Sequence, residues 1–375
     1  MPVTINGDTG IVTPMYNGSI TANAVTPSVN MKNRIINGAM VIAQRGTGST
    51  SVQTSTTYAS CDRWASYATQ NSKYTVEQSS TAPTGFSNSL LATSSAATSL
   101  SASDYYVFAQ PIEGFNFADL GFGTAQAKTI CLSFWVRSSL TGTFGGALQN
   151  SAGNRSYPFT YTISAANTWE QKSVTIVGDT SGTWVGATNG IGITIYFGVG
   201  IGSTYSGTAG AWAGSNFIGA TGATSVVGTN GATFYITGVQ LEVGSTATSF
   251  DYRPYGTELA LCQRYCYKNM AGSPYQNFGV GFNLNTTTAR FNQTFPVSMR
   301  TAPTLTTTGT ASNYAIYYSN TIYTATSAPS IDTNTDNENQ LIFSVDVASG
   351  LTAGGASAMY SNNTATTYLL YTAEL

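Results

Sequence analysis

The chain has 375 residues, enough for two or three domains, and 42% of it is hydrophobic, enough for real cores. Only 8% is charged and the net charge is −2, against roughly 25% charged residues in an ordinary soluble protein. Disorder pairs low hydrophobicity with high net charge and is excluded; so is binding to nucleic-acid phosphates, since there is no basic stripe. The absence of any histidine removes the commonest general base, the usual Ser or Cys triads and most zinc sites.

Residues 1–48 are polar and punctuated by Asn6-Gly7, Asn17-Gly18 and Asn37-Gly38, pairs that favour turns with positive φ. Ile and Val are spaced by turns without a helical period. Such a segment cannot bury a core alone. It reads either as an extended arm that orders against other subunits or as a leader packed on its own domain.

Residues 49–255 read as all-β. CLSFWVRSS (131–139), SYPFTYTIS (156–164), QKSVTIVG (171–178), GIGITIYFGVG (190–200) and ATFYITGVQLEVG (232–244) alternate at the strand period and are rich in β-branched and aromatic residues. Turn clusters divide them, which predicts a jelly-roll β-sandwich. The Gly-, Ala- and Thr-rich stretch 205–233 reads as a long surface loop. GTELALCQRYCYK (256–268) predicts a short connector helix, with Thr257 as cap and Glu258 in the first turn. Cys262 and Cys266 would then share one face. Residues 269–375 return to β and fit a second, smaller β-sandwich.

Four cysteines, Cys61, Cys131, Cys262 and Cys266, form no CxxC pair and read as buried thiols, with a Cys61–Cys131 bridge left open. The start MPVTINGDTG lacks a secretory signal pattern, so synthesis in a cytoplasm is expected. No apolar run reaches bilayer length, so no membrane insertion is expected.

Few residues invite chemistry. Asp332, Asp336, Glu338 and Asp346 cluster in DTNTDNENQLIFSVD. They read as a solvated loop, as oxygen ligands for calcium, or as an acid pair for glycoside hydrolysis. The stretch lacks the glycine and final glutamate spacing of an EF-hand, and no repeat suggests the long β-helix of a depolymerase. Aromatic rings stack on the apolar faces of sugars, so Tyr275, Phe278, Tyr314, Tyr317, Tyr318, Tyr323 and Tyr360 are glycan-binding candidates in the last domain. Tyr317 and Tyr318 are adjacent, so on a strand they face opposite ways and one is the better exposed. Trp184, Trp212 and Tyr205 are candidates in or near the Gly-rich loops. Asp62-Arg63-Trp64, and Trp135 with Arg137, read as structural, with tryptophans in the core and the charges paired locally. Glu242 reads as pairing or capping a turn. Tyr252, Arg253 and Pro254 should anchor the domain exit, with Arg253 as an interdomain or intersubunit contact.

NRIINGAMVIAQRGT (33–47), CDRWAS (61–66), LSFWVRSS (132–139), YTISAANTWEQKSVTI (161–176) and GATFYITGVQLEVGSTATSFDYRPYGTELALCQRY (231–265) resemble phage and prophage tail-fibre-like proteins. The middle region is similar to the jelly rolls of carbohydrate-binding modules carried in such fibres. The resemblance covers roughly residues 33–268; the start MPVTINGDTGIVTP shares it more faintly, and residues 269–375 do not share it. It implies a non-enzymatic virion protein, a tail fibre or receptor-binding subunit, without cofactor. The N-terminal arm would attach to tail or baseplate proteins through Ile5, Asp8, Ile11, Met15 and Tyr16. Residues 269–375 would form the tip that adsorbs to host surface polysaccharide, with Tyr275, Tyr317, Tyr318 and Tyr323, and with Trp212 from the jelly roll. The resemblance also implies a homotrimer, which no heptad or collagen repeat specifies. A head fibre, capsid decoration or neck or collar component that binds no host is the alternative.

Overall fold

A computed structural model describes residues 4–6, 10–12, 31–332 and 337–375. The chain divides into two compact units, Met1–Lys32 and Asn33–Leu375. In the first, strands β1 (Thr4–Asn6) and β2 (Gly10–Val12) pair antiparallel with Ile5 opposite Ile11. Asp8, Met15 and Tyr16 lie outside the described residues.

The second unit holds two β-sandwiches, so the chain is all-β apart from one α-helix and three short 3-10 turns among the described residues. The first sandwich is built from β3 (Thr50–Ser51), β4 (Ala65–Ala68), β5 (Tyr74–Ser79), β6 (Ser89–Ser94), β7 (Tyr105–Glu113), β8 (Ile130–Ser138), β9 (Gly142–Gln149), β10 (Ser156–Ile163), β11 (Glu170–Ile176), β12 (Ile191–Ile201), the short β13 (Ser206–Gly207) and β14 (Gly219–Ala220), and β15 (Thr233–Val243). A five-stranded sheet in the order β10-β9-β12-β7-β4 faces a six-stranded sheet, β11-β8-β15-β6-β5-β3. Most hydrogen-bonded neighbours are distant in sequence, as in a jelly roll.

Strand alternation produces this core. Leu132, Phe134 and Val136 on β8 and Ile193, Ile195, Phe197 and Val199 on β12 point inward and are fully buried. Phe197 stacks on Phe108 at 5.7 Å and meets Phe134 edge-on at 5.1 Å. Trp64 is buried against both Phe108 and Phe197. Trp135 is not a core residue: it takes the outward phase of β8, and Phe134 fills the interior instead.

Residues from Asn33 onward belong to the sandwich and not to an arm, correcting the boundary at 48. The Asn33 side chain bridges the backbone of Val239 and Leu241 on β15, at 3.0 Å to each. Gln110 clamps Ile36 through both its N–H and its carbonyl, at 2.8 Å each. Asn37, in a left-handed conformation (φ 57°), accepts from the amide of Ile42 and donates to the carbonyls of Ile42 and Asp62. The Asn-Gly pair thus makes the predicted turn, but inside the core.

The helix is shorter than predicted. α1 spans Tyr255–Gln263, its N-cap is Pro254 rather than Thr257, and Cys266–Met270 already forms strand β16. Cys262 and Cys266 therefore share no helical face. The second sandwich packs the sheet β16-β25-β19 against a seven-stranded sheet, β21-β20-β24-β17-β18-β23-β22. Its strands are β17 (Asn277–Asn283), β18 (Thr288–Thr294), β19 (Thr304–Thr307), β20 (Tyr314–Tyr318), β21 (Thr321–Thr324), β22 (Ser330–Ile331), β23 (Gln340–Asp346), β24 (Ala356–Ser361) and β25 (Tyr368–Thr372). Among the described residues no helix is long and apolar enough to cross a membrane.

Buried charges join the two sandwiches. Arg63, fully buried at φ 71°, lies 3.6 Å over the Tyr265 ring, donates to the Pro111 carbonyl at 2.7 Å and pairs with Glu374. Asp62 instead accepts from Gln44 at 2.6 Å, so the charges of Asp62-Arg63 do not pair with each other. Arg264 and Tyr265 both bond Glu113, at 2.5–2.9 Å. All four cysteines are buried and unbridged.

Candidate functional site

The outer face of the five-stranded sheet carries a cleft of about 290 Å³. Register explains its shape. Tyr67 on β4 sits opposite Val107 on β7; Ala109 on β7, Tyr196 on β12 and Ala147 on β9 form the next row. Val107 is the small residue that lines the cleft between the taller rings. Tyr67 and Tyr196 are 6.4 Å apart and tilted by 54°. Tyr105, at the start of β7, meets Tyr205 edge-on at 5.2 Å.

The loop after β12 supplies one wall. β13 and β14 pair parallel, and the Ile218 amide donates to the Tyr205 carbonyl, folding the loop back over the sheet. That placement brings Tyr205, Asn216 and Ile218 to the cleft. The stretch 205–233 is thus an ordered wall with buried Ile218, Val226 and Val227, not merely a surface loop.

Gln149 organises the polar side. Its amide N–H donates to Asn216 Oδ1 at 2.7 Å, and its Oε1 accepts from the Tyr196 hydroxyl at 3.4 Å. Gln149 is buried whereas Asn216 is exposed, so the pair presents a fixed amide to solvent. Burial pushes the Tyr67 and Tyr196 phenols up, so both remain neutral hydroxyls. Among the described residues, no carboxylate, cation or thiol lines the cleft. The arrangement offers ring faces and neutral hydrogen-bonding groups, and it contains no acid–base pair.

The tyrosines named from sequence do not converge. Tyr317 is exposed on β20, at 39%, and touches Tyr360 edge-on, while Tyr318 turns inward and packs on the second core. Tyr323 also packs inward, and Tyr275 stands exposed at a left-handed turn before β17. Tyr314 and Phe278 are buried. Trp212 lies outside the cleft, in a ring cluster with Tyr157, Trp184 and Phe122 at 5.3–5.7 Å, its N–H bonded to the Val177 carbonyl. Of the sequence candidates only Tyr205 lines the cleft. Tyr67, Tyr105, Tyr196 and Gln149 were missed, although Tyr196 holds the outward phase among inward Ile193, Ile195 and Phe197.

Asp332 pairs with Arg290, and Asp346 accepts from Thr288 and Ser327 at 2.7 and 3.1 Å. Glu338 is exposed, and Asp336 lies outside the described residues. Among the described residues no three Asp, Glu, Cys or His side chains gather around a common point. Glu242 accepts from the Thr248 amide and hydroxyl, and so pins the turn after β15. Arg253 reaches the carbonyls of Asn33 and Ile35 and pairs with Glu258 on α1, tying the first sandwich to the connector helix.

No family model and no curated protein matches the chain. Among solved structures it is similar to the enzymatically active domain of tailspike protein 4 of bacteriophage CBA120, at 14% identity over 56% of this chain and 21% of that one, TM-score 0.30. It spans only about a fifth of that tailspike chain. It is similar to the module TmCBM61 in complex with β-1,4-galactotriose, at 10% identity over 57% of this chain and 99% of that one, TM-score 0.30. A family 11 carbohydrate-binding module of a Clostridium thermocellum cellulase is similar at 13% identity over 54% of this chain and 98% of that one, TM-score 0.27.

Proposed function

We propose that this protein binds an uncharged carbohydrate in the cleft over the five-stranded sheet, and that it does so as an adhesive virion component, a phage tail-fibre or receptor-binding subunit. The observation that carries the binding reading is the lining itself: four tyrosine rings around Val107, beside the Gln149–Asn216 amide pair. Tyrosine faces cover the C–H faces of sugar rings, while phenols and amides exchange hydrogen bonds with hydroxyls. A lining without charge suits a neutral glycan. The virion role is supported by the residue stretches that resemble tail-fibre proteins. On the same ground we expect assembly as a trimer, attachment through the N-terminal segment to tail or baseplate proteins, and residence in the virion. Several copies would turn a weak single site into firm adsorption.

The test is calorimetric titration of the full chain with purified host surface polysaccharide, for the wild type and for Tyr67→Ala, Tyr105→Ala, Tyr275→Ala and Tyr317→Ala. Covering a half-exposed tyrosine ring removes about 60 Å² of apolar surface, or about 1.5 kcal/mol, roughly tenfold in affinity. The cleft variants are expected to lose that factor, the other two to bind as wild type, and the polysaccharide to stay uncut. Loss confined to Tyr275→Ala or Tyr317→Ala would move the site to the second sandwich. No binding by the wild type would favour a head fibre, decoration or collar protein.

A further inference from the structure

The solvent side of an antiparallel sheet is ordinarily polar. The outer face of the seven-stranded sheet follows this over β18 and β23, where Arg290, Asn292, Ser344 and Asp346 point outward, but not over β21, β20, β24 and β17. Register sets Ile322, Tyr317, Ala358 and Val280 side by side across β21, β20, β24 and β17. Phe282 continues the row along β17 at strand spacing, and Leu284 is exposed in the bend just past the strand's end. Val280 is 72% exposed, Ile322 49%, Phe282 47%, Leu284 42% and Tyr317 39%. Their alternating neighbours Ile316 and Met359 are fully buried in the second core, so the strands carry apolar residues on both faces.

Those five side chains expose on the order of 400 Å² of apolar surface, close to the roughly 500 Å² of non-polar area that one partner contributes to a standard interface. The charged groups lie away from this patch: Arg290 pairs with Asp332, and Asp346 is hydrogen-bonded by the Thr288 and Ser327 hydroxyls at the far end of β23. Strands β17, β20, β21 and β24 themselves carry no charged side chain to attract a charged partner. Two identical faces meet without repulsion, and each supplies the apolar surface the other lacks.

We propose that, in the expected trimer, this face is covered by the same face of the neighbouring copies of the chain, Val280, Phe282, Leu284, Tyr317 and Ile322 of each subunit converging on the shared symmetry axis. The proposal concerns the second sandwich alone and does not depend on glycan binding in the first. Light scattering on the full chain at micromolar concentration tests it, with Val280→Asp and the milder Phe282→Thr. The wild type should have a mass of three chains. Val280→Asp should raise the dissociation constant at least about a hundredfold, and Phe282→Thr about tenfold, with melting of the dissociated chain still cooperative. If Val280→Asp does not fold, Phe282→Thr carries the test. A wild-type mass of one chain would overturn the proposal, and so would folded variants that keep the wild-type mass. Polysaccharide titration of the same preparations reports on the cleft separately.

Discussion

Replacing Glu374 by alanine removes one acid that serves two guanidinium groups. Glu374 pairs with Arg63 and, at 3.0 Å, with Arg45; all three side chains are at least 89% buried, their exposures being 9%, 1% and 11%. Arg63 keeps the Pro111 carbonyl and the Tyr265 ring, and Arg45 keeps a distant contact to Asp62 at 4.0 Å. Breaking a buried pair by deleting one partner costs roughly 3–5 kcal/mol, because a charge is left without its counter-ion. The retained contacts place Glu374→Ala near the lower end, about 3 kcal/mol. At roughly 1–2 °C per kcal/mol for a unit of this size, the melting temperature should fall by about 3–6 °C. Differential scanning calorimetry reads this directly. The double variant Arg63→Met with Glu374→Leu should melt above Glu374→Ala, since no charge is then orphaned. A Glu374→Ala melting temperature within about 2 °C of wild type would refute the reasoning.

Glu113 adds a pH dependence. Burial raises its pKa, but hydrogen bonds from Arg264 and Tyr265 outweigh burial and hold it below the ordinary value of 4.5. A depressed folded pKa means the stabilisation is complete above the unfolded value and is lost as pH falls through the folded one. Wild-type stability should therefore drop below about pH 4.5, and Glu113→Gln should flatten that drop while lowering stability at pH 7; an unchanged acid limb in urea titrations would remove Glu113 from the account. The cysteines make a third test. Burial pushes the thiols of Cys61, Cys262 and Cys266 well up and hides Cys131 as well, so the native protein should resist a thiol-reactive dye at pH 8 and react fully in denaturant. Rapid labelling of the native chain would contradict the buried, unbridged state.

The two predicted sandwiches were legible because β-branched and aromatic residues recur at the strand period, and that period alone selects which side chains face inward. Leu132, Phe134 and Val136 follow it without exception. The same rule misplaced Trp135, because size was allowed to outweigh phase. The helix was overextended for a related reason: Cys262 and Cys266 satisfy a helical spacing, but Cys266 is drawn into pairing with Thr372, more than a hundred residues downstream. Nothing local signals that competition.

The candidate cleft was the least legible part. Chance of composition does not bring Tyr67, Tyr105, Tyr196 and Tyr205 together; the register of β4, β7 and β12 and the fold-back of the loop after β12 do. Likewise the polar stretch 33–48 reads as an arm because its many amides look solvated, whereas Asn33 and Asn37 spend them on buried backbone. The sequence by itself determined the fold class, the scarcity of charge and the absence of histidine chemistry, since composition and strand period act residue by residue. Only the tertiary structure decided which tyrosines wall a cleft, which charges pair across the two sandwiches and which sheet face stays apolar, because each depends on strands far apart in the chain becoming neighbours.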